Sequence, residues 1–306
     1  MSLAELKMMT AKKEALLKLF DGWQACVPAD VIPYANEIIE NITDEEIDEF
    51  MEKFEKAGTH WGFSESSDFV DKTVGNVLRK LLTCSVSGLE NLENALKSLK
   101  NAEASKLIFV SNHLSYSDTN IFLLALKDTF EKYGFAHDLT VIAGPKVFSH
   151  PLRKFASMHF NTLLLIQSHS VSTTQVEYSV REIAKAALQV RDDIRDRVKI
   201  VFIFPEGRRS RDGQLQQFLP GVYKLIDIDE KAIVMPVAIT GGDQMLPVSY
   251  ADLRYANASV SLGSAEYVAD INAKIENQSN IKQEFMDHLG RRVASLLPES
   301  FRGFYK

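Results

Sequence analysis

Short apolar runs of β-forming residues, alternating with longer helical patterns, predict an α/β protein. The expected architecture is a mixed, largely parallel sheet covered by helices and preceded by a small N-terminal helical bundle. Two observations carry this. From about residue 86, LIFV, LTVIAG, TLLLI, VKIVFIF and AIVMPVAI are near-continuous apolar runs, the texture of strands buried on both faces. Helical patterns such as TQVEYSVREIAKAALQVRDDI separate most of them, which is the layout of a sheet with helical crossovers. Before that point the chain shows helical spacing and no convincing strand.

The elements follow in order. Leu3, Leu6 and Met9, then Leu16, Leu17 and Phe20, recur at helical intervals. In NITDEEIDEFMEKFEKAG, Thr43 and Glu46 form a capping box, and Ile47, Phe50, Met51 and Phe54 follow on one face. Gly58 should end that helix. DKTVGNVLRKLLTCSV continues the helical pattern through Val74, Val77, Leu78 and Leu81. These segments read as a helical domain over 1–85, followed by an α/β domain over 86–306. Pro236 lies inside AIVMPVAI, and proline in a strand is confined to an edge or a bulge, so an interruption is expected there.

With 306 residues, 45% hydrophobic and 25% charged, the composition is that of a globular protein. A net charge of −6 gives no overall pull toward nucleic acid or an anionic surface. An anion site must therefore be a local cluster. Cys26 and Cys84 make neither a disulfide framework nor a metal set, and read as two buried thiols in a reducing compartment. No apolar run approaches the ~20 residues needed to span a bilayer. The N-terminal stretch lacks a signal-peptide core. A cytoplasmic protein is expected, peripheral membrane contact being compatible with it.

Three strand ends carry candidate chemistry. SNHLSYSDTN places His113 and Asp118 in the turn between a strand and a helix, and the carboxyl edge of the sheet is where α/β folds bind ligands. A helix-capping Asp beside a loop His would look the same. The functional alternative is a general base whose tautomer and charge a carboxylate supports. VKIVFIFPEGRRSRDG puts Arg208, Arg209 and Arg211 after a strand and a glycine. That is either a solvated loop or a phosphate clamp, since guanidinium matches phosphate oxygens with a planar fork. VIAGPKVFSHPLRKF brings Lys146, Arg153 and Lys154 after another strand, and a neighbouring strand runs into Gln167, Ser168 and His169.

In this order the blocks resemble the glycerophospholipid acyltransferase family. They are His113 to Asp118, Gly144 to Lys146, Phe204-Pro205-Glu206-Gly207 with the arginines after it, and Val234 to Val237 around Pro236. The stretch AGPKVFSHPLRKFASMHFN, residues 143–161, is most similar to the plastid-type glycerol-3-phosphate acyltransferases. The resemblance covers about residues 80–245 by motif. It implies acyl transfer from acyl carrier protein or coenzyme A to the sn-1 hydroxyl of glycerol 3-phosphate, with no metal or redox cofactor. It assigns His113 as base and Asp118 as its orienting partner. Glu206 and Gly207 would position the glycerol, and Arg209 and Arg211, with His169 and Lys146, would hold the phosphate. Ser168-His169 stands where that subfamily has Lys-His. A basic rim of Lys146, Arg153, Lys154 and Arg208 would receive the anionic donor. The competing readings are acylation of lysophosphatidate by the same residues, a non-catalytic lipid- or carrier-binding module, and a thioesterase.

Overall fold

The computed structural model describes residues 3–59, 62–166, 178–247 and 252–306. Its strands are β1 (Gly62–Ser64), β2 (Leu82–Ser87), β3 (Lys106–Ser111), β4 (Leu139–Ala143), β5 (Asn161–Leu164), β6 (Ile200–Ile203), β7 (Ala232–Thr240), β8 (Ala256–Leu262) and β9 (Glu266–Tyr267). Among the described residues they form one sheet, ordered β1-β5-β4-β6-β3-β7-β8-β2, with β9 also on β7. The central pairs β5–β4, β4–β6, β6–β3 and β3–β7 are parallel, as is the outlying β8–β2. β1, β8 and β9 each run antiparallel to their neighbours β5, β7 and β7. The mixed, largely parallel sheet expected from the apolar runs is present.

Alternation along β3 divides the interior into two cores. Leu107 and Phe109 face one side, with Phe122, Phe130 and Phe202. Ile108 and Val110 face the other, with Val190, Ile194, Phe285, Leu289 and Val293. This is the period of two that a strand imposes when both faces are covered.

The N-terminal helices belong to the first of these cores. Helix Asp44–Lys56 begins at the expected capping box: the Thr43 hydroxyl accepts from the Glu46 N–H, and the Glu46 carboxylate accepts from the Thr43 N–H. Gly58 follows the helix at φ +71°. Ile47, Phe50 and Met51 are buried. Phe20 and Trp23 of helix Leu3–Gln24 meet Phe155, and Phe50 meets the same ring at 5.7 Å. A polar tie joins the two parts as well. Asp71 accepts from Lys127 on helix Asp118–Tyr133 and from His159 Nε2 at 3.0 Å, and His159 Nδ1 lies 3.0 Å from Asn120 Nδ2. Burial alone would raise the Asp71 pKa. The bonds from His159 and Lys127 outweigh it and hold the carboxyl well below the usual range.

The expectation of no strand before residue 86 is corrected by β1 and β2. The helical pattern of DKTVGNVLRKLL holds only as far as Leu81, with a π-helical turn at Asp71–Gly75. The chain then pairs with β8 through β2, so the boundary expected near residue 85 falls inside a strand. Pro236 also departs from expectation. β7 runs unbroken through it and lies between β3 and β8. Its carbonyl accepts from Gly263 N–H at 2.9 Å, on the side where β9 stops at Val234 and β8 begins at Val237. A residue's N–H and C=O share one side of a strand, so the missing donor falls in that gap and removes no bond from the β3 ladder. Cys26 and Cys84 are free and half-buried, where two buried thiols were expected.

Candidate active site

The parallel arrangement brings the carboxyl ends of β3, β4, β6 and β7 to one edge. His113 follows β3, Gly144 follows β4, the Phe204–Gly207 turn follows β6, and Gly241-Gly242 follows β7.

Asp118 opens its helix and does not cap it. Ser117 occupies the N-cap position without a side-chain capping bond. The Asp118 carboxylate turns back toward the loop, where Oδ2 accepts from Leu114 N–H at 2.7 Å and Ser115 N–H at 2.8 Å. The same oxygen lies 2.9 Å from His113 Nδ1. Asp118 is fully buried, while the His113 side chain keeps 17% exposure. The five-residue separation is thus closed by a loop that two backbone N–H groups anchor to the carboxylate. Nδ1–H donates to Asp118, leaving Nε2 as the basic nitrogen, and Nε2 makes no hydrogen bond among the described residues.

The turn after β6 holds His113 from the other side. Phe204 stacks on the imidazole at 3.9 Å between centroids and 18° between planes. Glu206 Oε1 accepts from His113 N–H at 2.7 Å, and the His113 carbonyl accepts from Ser210 N–H at 2.7 Å. Glu206 Oε2 accepts from Gln216 N–H at 2.8 Å. Gly207 turns the chain at φ +67°, a conformation that side chains disfavour. Both Glu206 oxygens are therefore occupied by the backbone, one of them by the residue proposed as base.

Burial pushes the Glu206 carboxyl up to about 8, against the pull of the Gln216 and His113 N–H groups. The raised value means the folded protein holds this proton more tightly than the unfolded chain. Its contribution to stability is present below the ordinary value of 4.5 and is lost as pH rises through about 8. Glu206→Gln, which cannot ionise, should show a smaller fall in melting temperature than wild type between those pH values. Parallel melting curves across the range would refute this.

Gly242 is a position beside the candidate site that sequence reasoning missed. A Cβ there would lie 2.0 Å from Asp118 Oδ1 and 3.3 Å from Ser115 Cβ. Oδ1 is buried without a hydrogen-bond partner. The same β7 loop is clasped to the His113 loop, since the Ser117 hydroxyl donates to Gly242 O and the Ser115 hydroxyl donates to Leu246 O. Gly242→Ala should displace the carboxylate and lower kcat by about 10²-fold, the scale of a 1 Å misplacement, with substrate KM little changed. A kcat within threefold of wild type would show that the carboxylate tolerates the methyl. The doubled glycine in AIVMPVAITGG was the available signal.

Beside these loops is an apolar cavity of about 270 Å³. Trp23, Cys26, Val74 and Leu78 wall it from the N-terminal helices, and Tyr116, Arg153 and Arg209 form its polar part. The Arg209 guanidinium lies 3.7 Å over the Tyr116 ring. Of the two expected clamp arginines, Arg209 is half-buried and Arg211 is exposed. Lys146 and Arg208 are exposed, as a rim requires. Lys154 and Arg153 are not open rim residues. Lys154 packs 4.7 Å over Phe54, where burial lowers its pKa, and Arg153 packs on Tyr116. Their long stems cover apolar surface. His169 lies outside the described residues.

A buried carboxylate on one nitrogen of an imidazole, with the second nitrogen free, is the arrangement that general-base catalysis requires. A family model described as Acyltransferase matches residues 84–240, just over half of the chain, and spans His113, Asp118, Glu206 and Arg209. The chain belongs to this acyltransferase family, and its reaction class is acyl transfer. Among solved structures it is similar to the 1-acyl-sn-glycerophosphate (LPA) acyltransferase PlsC from Thermotoga maritima. The identity is 15%, the match covers 92% of this chain and 96% of that chain, and the TM-score is 0.46. A search of curated proteins finds no match.

Proposed function

We propose that the protein transfers a fatty acyl group from a thioester, of acyl carrier protein or coenzyme A, to the sn-1 hydroxyl of glycerol 3-phosphate. The observation that carries this is the His113–Asp118 pair beside one apolar cavity whose polar lining includes Arg209. His113 Nε2 takes the hydroxyl proton while Asp118 supports the imidazolium. The oxygen attacks the thioester carbonyl carbon, the carbon–sulfur bond breaks, and the proton passes from Nε2 to the leaving thiolate. The products are lysophosphatidate and a free thiol. Arg209 anchors the phosphate, and Arg211 and Lys146 add positive charge from the exposed rim. Glu206 fixes the His113 backbone, Gly207 turns the chain beside it, and the two together position the glycerol. No helix among the described residues is long and apolar enough to cross a membrane. Product delivery to a bilayer is then a peripheral contact through the exposed Lys146 and Arg208.

The test is an acceptor panel of glycerol 3-phosphate, lysophosphatidate and glycerol, run with each donor. Glycerol 3-phosphate should have the highest kcat/KM. A lead for lysophosphatidate overturns the acceptor and keeps the reaction. Thioester hydrolysis without transfer makes the protein a thioesterase. Donor binding with neither reaction makes it a binding module.

A further inference from the structure

We infer that Arg153 is the second guanidinium of a phosphate-ester site, sharing the Tyr116 ring with Arg209. Arg153 comes from helix Pro151–Ser157 after β4, and Arg209 from the loop after β6. Their guanidinium carbons lie 5.3 Å and 3.7 Å from the same ring centroid. Both side chains and Tyr116 line the apolar cavity.

Neither guanidinium forms an ion pair with a carboxylate among the described residues. Arg153 Nε is buried without any partner. Its Nη atoms reach only the Tyr116 hydroxyl and Ser149 Oγ, each at 3.5 Å, the outer limit of a hydrogen bond. A half-buried guanidinium with a buried Nε and only marginal acceptors is left poorly satisfied. The two cations also oppose each other: burial lowers the Arg209 pKa first, and Arg153 lowers it further. An anion placed against both forks removes the repulsion and supplies the missing acceptors. A phosphate ester is the acyl-transfer substrate group with that geometry, offering several oxygens to two planar donors. Tyr116 holds the guanidiniums by cation–π contact without neutralising them. Arg211, by contrast, is exposed and has no contact with this ring.

The phosphate has two sources, the monoester of the acceptor and the phosphate of the donor, a phosphodiester in acyl carrier protein and a diphosphate in coenzyme A. Only this choice rests on the proposed acyltransferase function. The test therefore begins with binding of inorganic phosphate to the full chain, followed by titration calorimetry on wild type, Arg153→Gln and Arg153→Lys. Wild type should bind phosphate. Gln should weaken binding about tenfold or more, the scale of losing a charged hydrogen bond. Lys keeps the charge without the fork and should fall between them. Steady-state kinetics then separates the sources. A raised KM for glycerol 3-phosphate alone supports the acceptor, and a raised KM for the acyl donor alone supports the donor phosphate. If no acceptor is acylated but Arg153→Gln still loses phosphate binding, the site stands and the enzymatic reading falls. Phosphate affinity unchanged in either folded variant, or no phosphate binding by wild type, overturns the site.

Discussion

His113→Ala should lower turnover by about 10²- to 10⁴-fold, the range for removal of a general base. The loop itself should survive the change. His113 is held through its backbone, by Glu206 on the N–H and Ser210 on the carbonyl. Leu114 and Ser115 keep their bonds to Asp118 without the imidazole. The lost contacts are the Asp118 bond and the stack on Phe204. Circular dichroism and melting temperature should therefore stay close to wild type while kcat collapses at saturating acceptor. A folded variant with turnover within threefold of wild type would remove His113 from the mechanism.

Glycerol should be a far poorer acceptor than glycerol 3-phosphate, by roughly 30- to several-thousand-fold in kcat/KM. Both carry the reacting hydroxyl, and only one carries the anion. Arg209 is half-buried, with the Tyr116 face as its closest contact and no carboxylate partner among the described residues. Filling the site without an anion leaves that charge uncompensated, at a cost of about 2–5 kcal/mol, and each ~1.4 kcal/mol is a factor of ten. Parallel progress curves for the two acceptors measure the ratio. Equal rates would mean that the arginines play no part in acceptor recognition.

Much of this was legible in the chain because the signals are local. The runs at β3, β4, β5, β6 and β7 are apolar enough to announce themselves, and the Thr43–Glu46 capping box marks its helix start. The turn chemistry at Phe204–Gly207 and the His113–Asp118 spacing also survive inspection of a few residues. β2 and β8 did not stand out. Four of the six residues of LTCSVS are exposed, and ANASVSL alternates small residues with little apolar contrast. β2 becomes a strand by pairing with β8, and β8 by pairing with both β7 and β2, a tertiary cause that no window on either segment contains. The same holds within the site. The doubled glycine marks Gly242, but no neighbouring residue names Asp118 as the group that its missing side chain admits. Nothing near Arg153 indicates that it meets Arg209 over a ring from a third loop. The helical pattern before residue 86 likewise does not disclose that Trp23 and Leu78 wall the cavity.

The pairing of β2 with β8 has a kinetic consequence. Ser87 and Ser261 touch across that ladder although 174 positions separate them. During synthesis the early helices and β2 must therefore persist without their sheet partner until β8 has left the ribosome. Contacts this distant in sequence close late and slow the approach to the native state. The unpaired β2 edge is exposed meanwhile to intermolecular association. Refolding yield should then fall with protein concentration, and the cavity wall supplied by Trp23 and Leu78 should mature only after the far end of the sheet is in place.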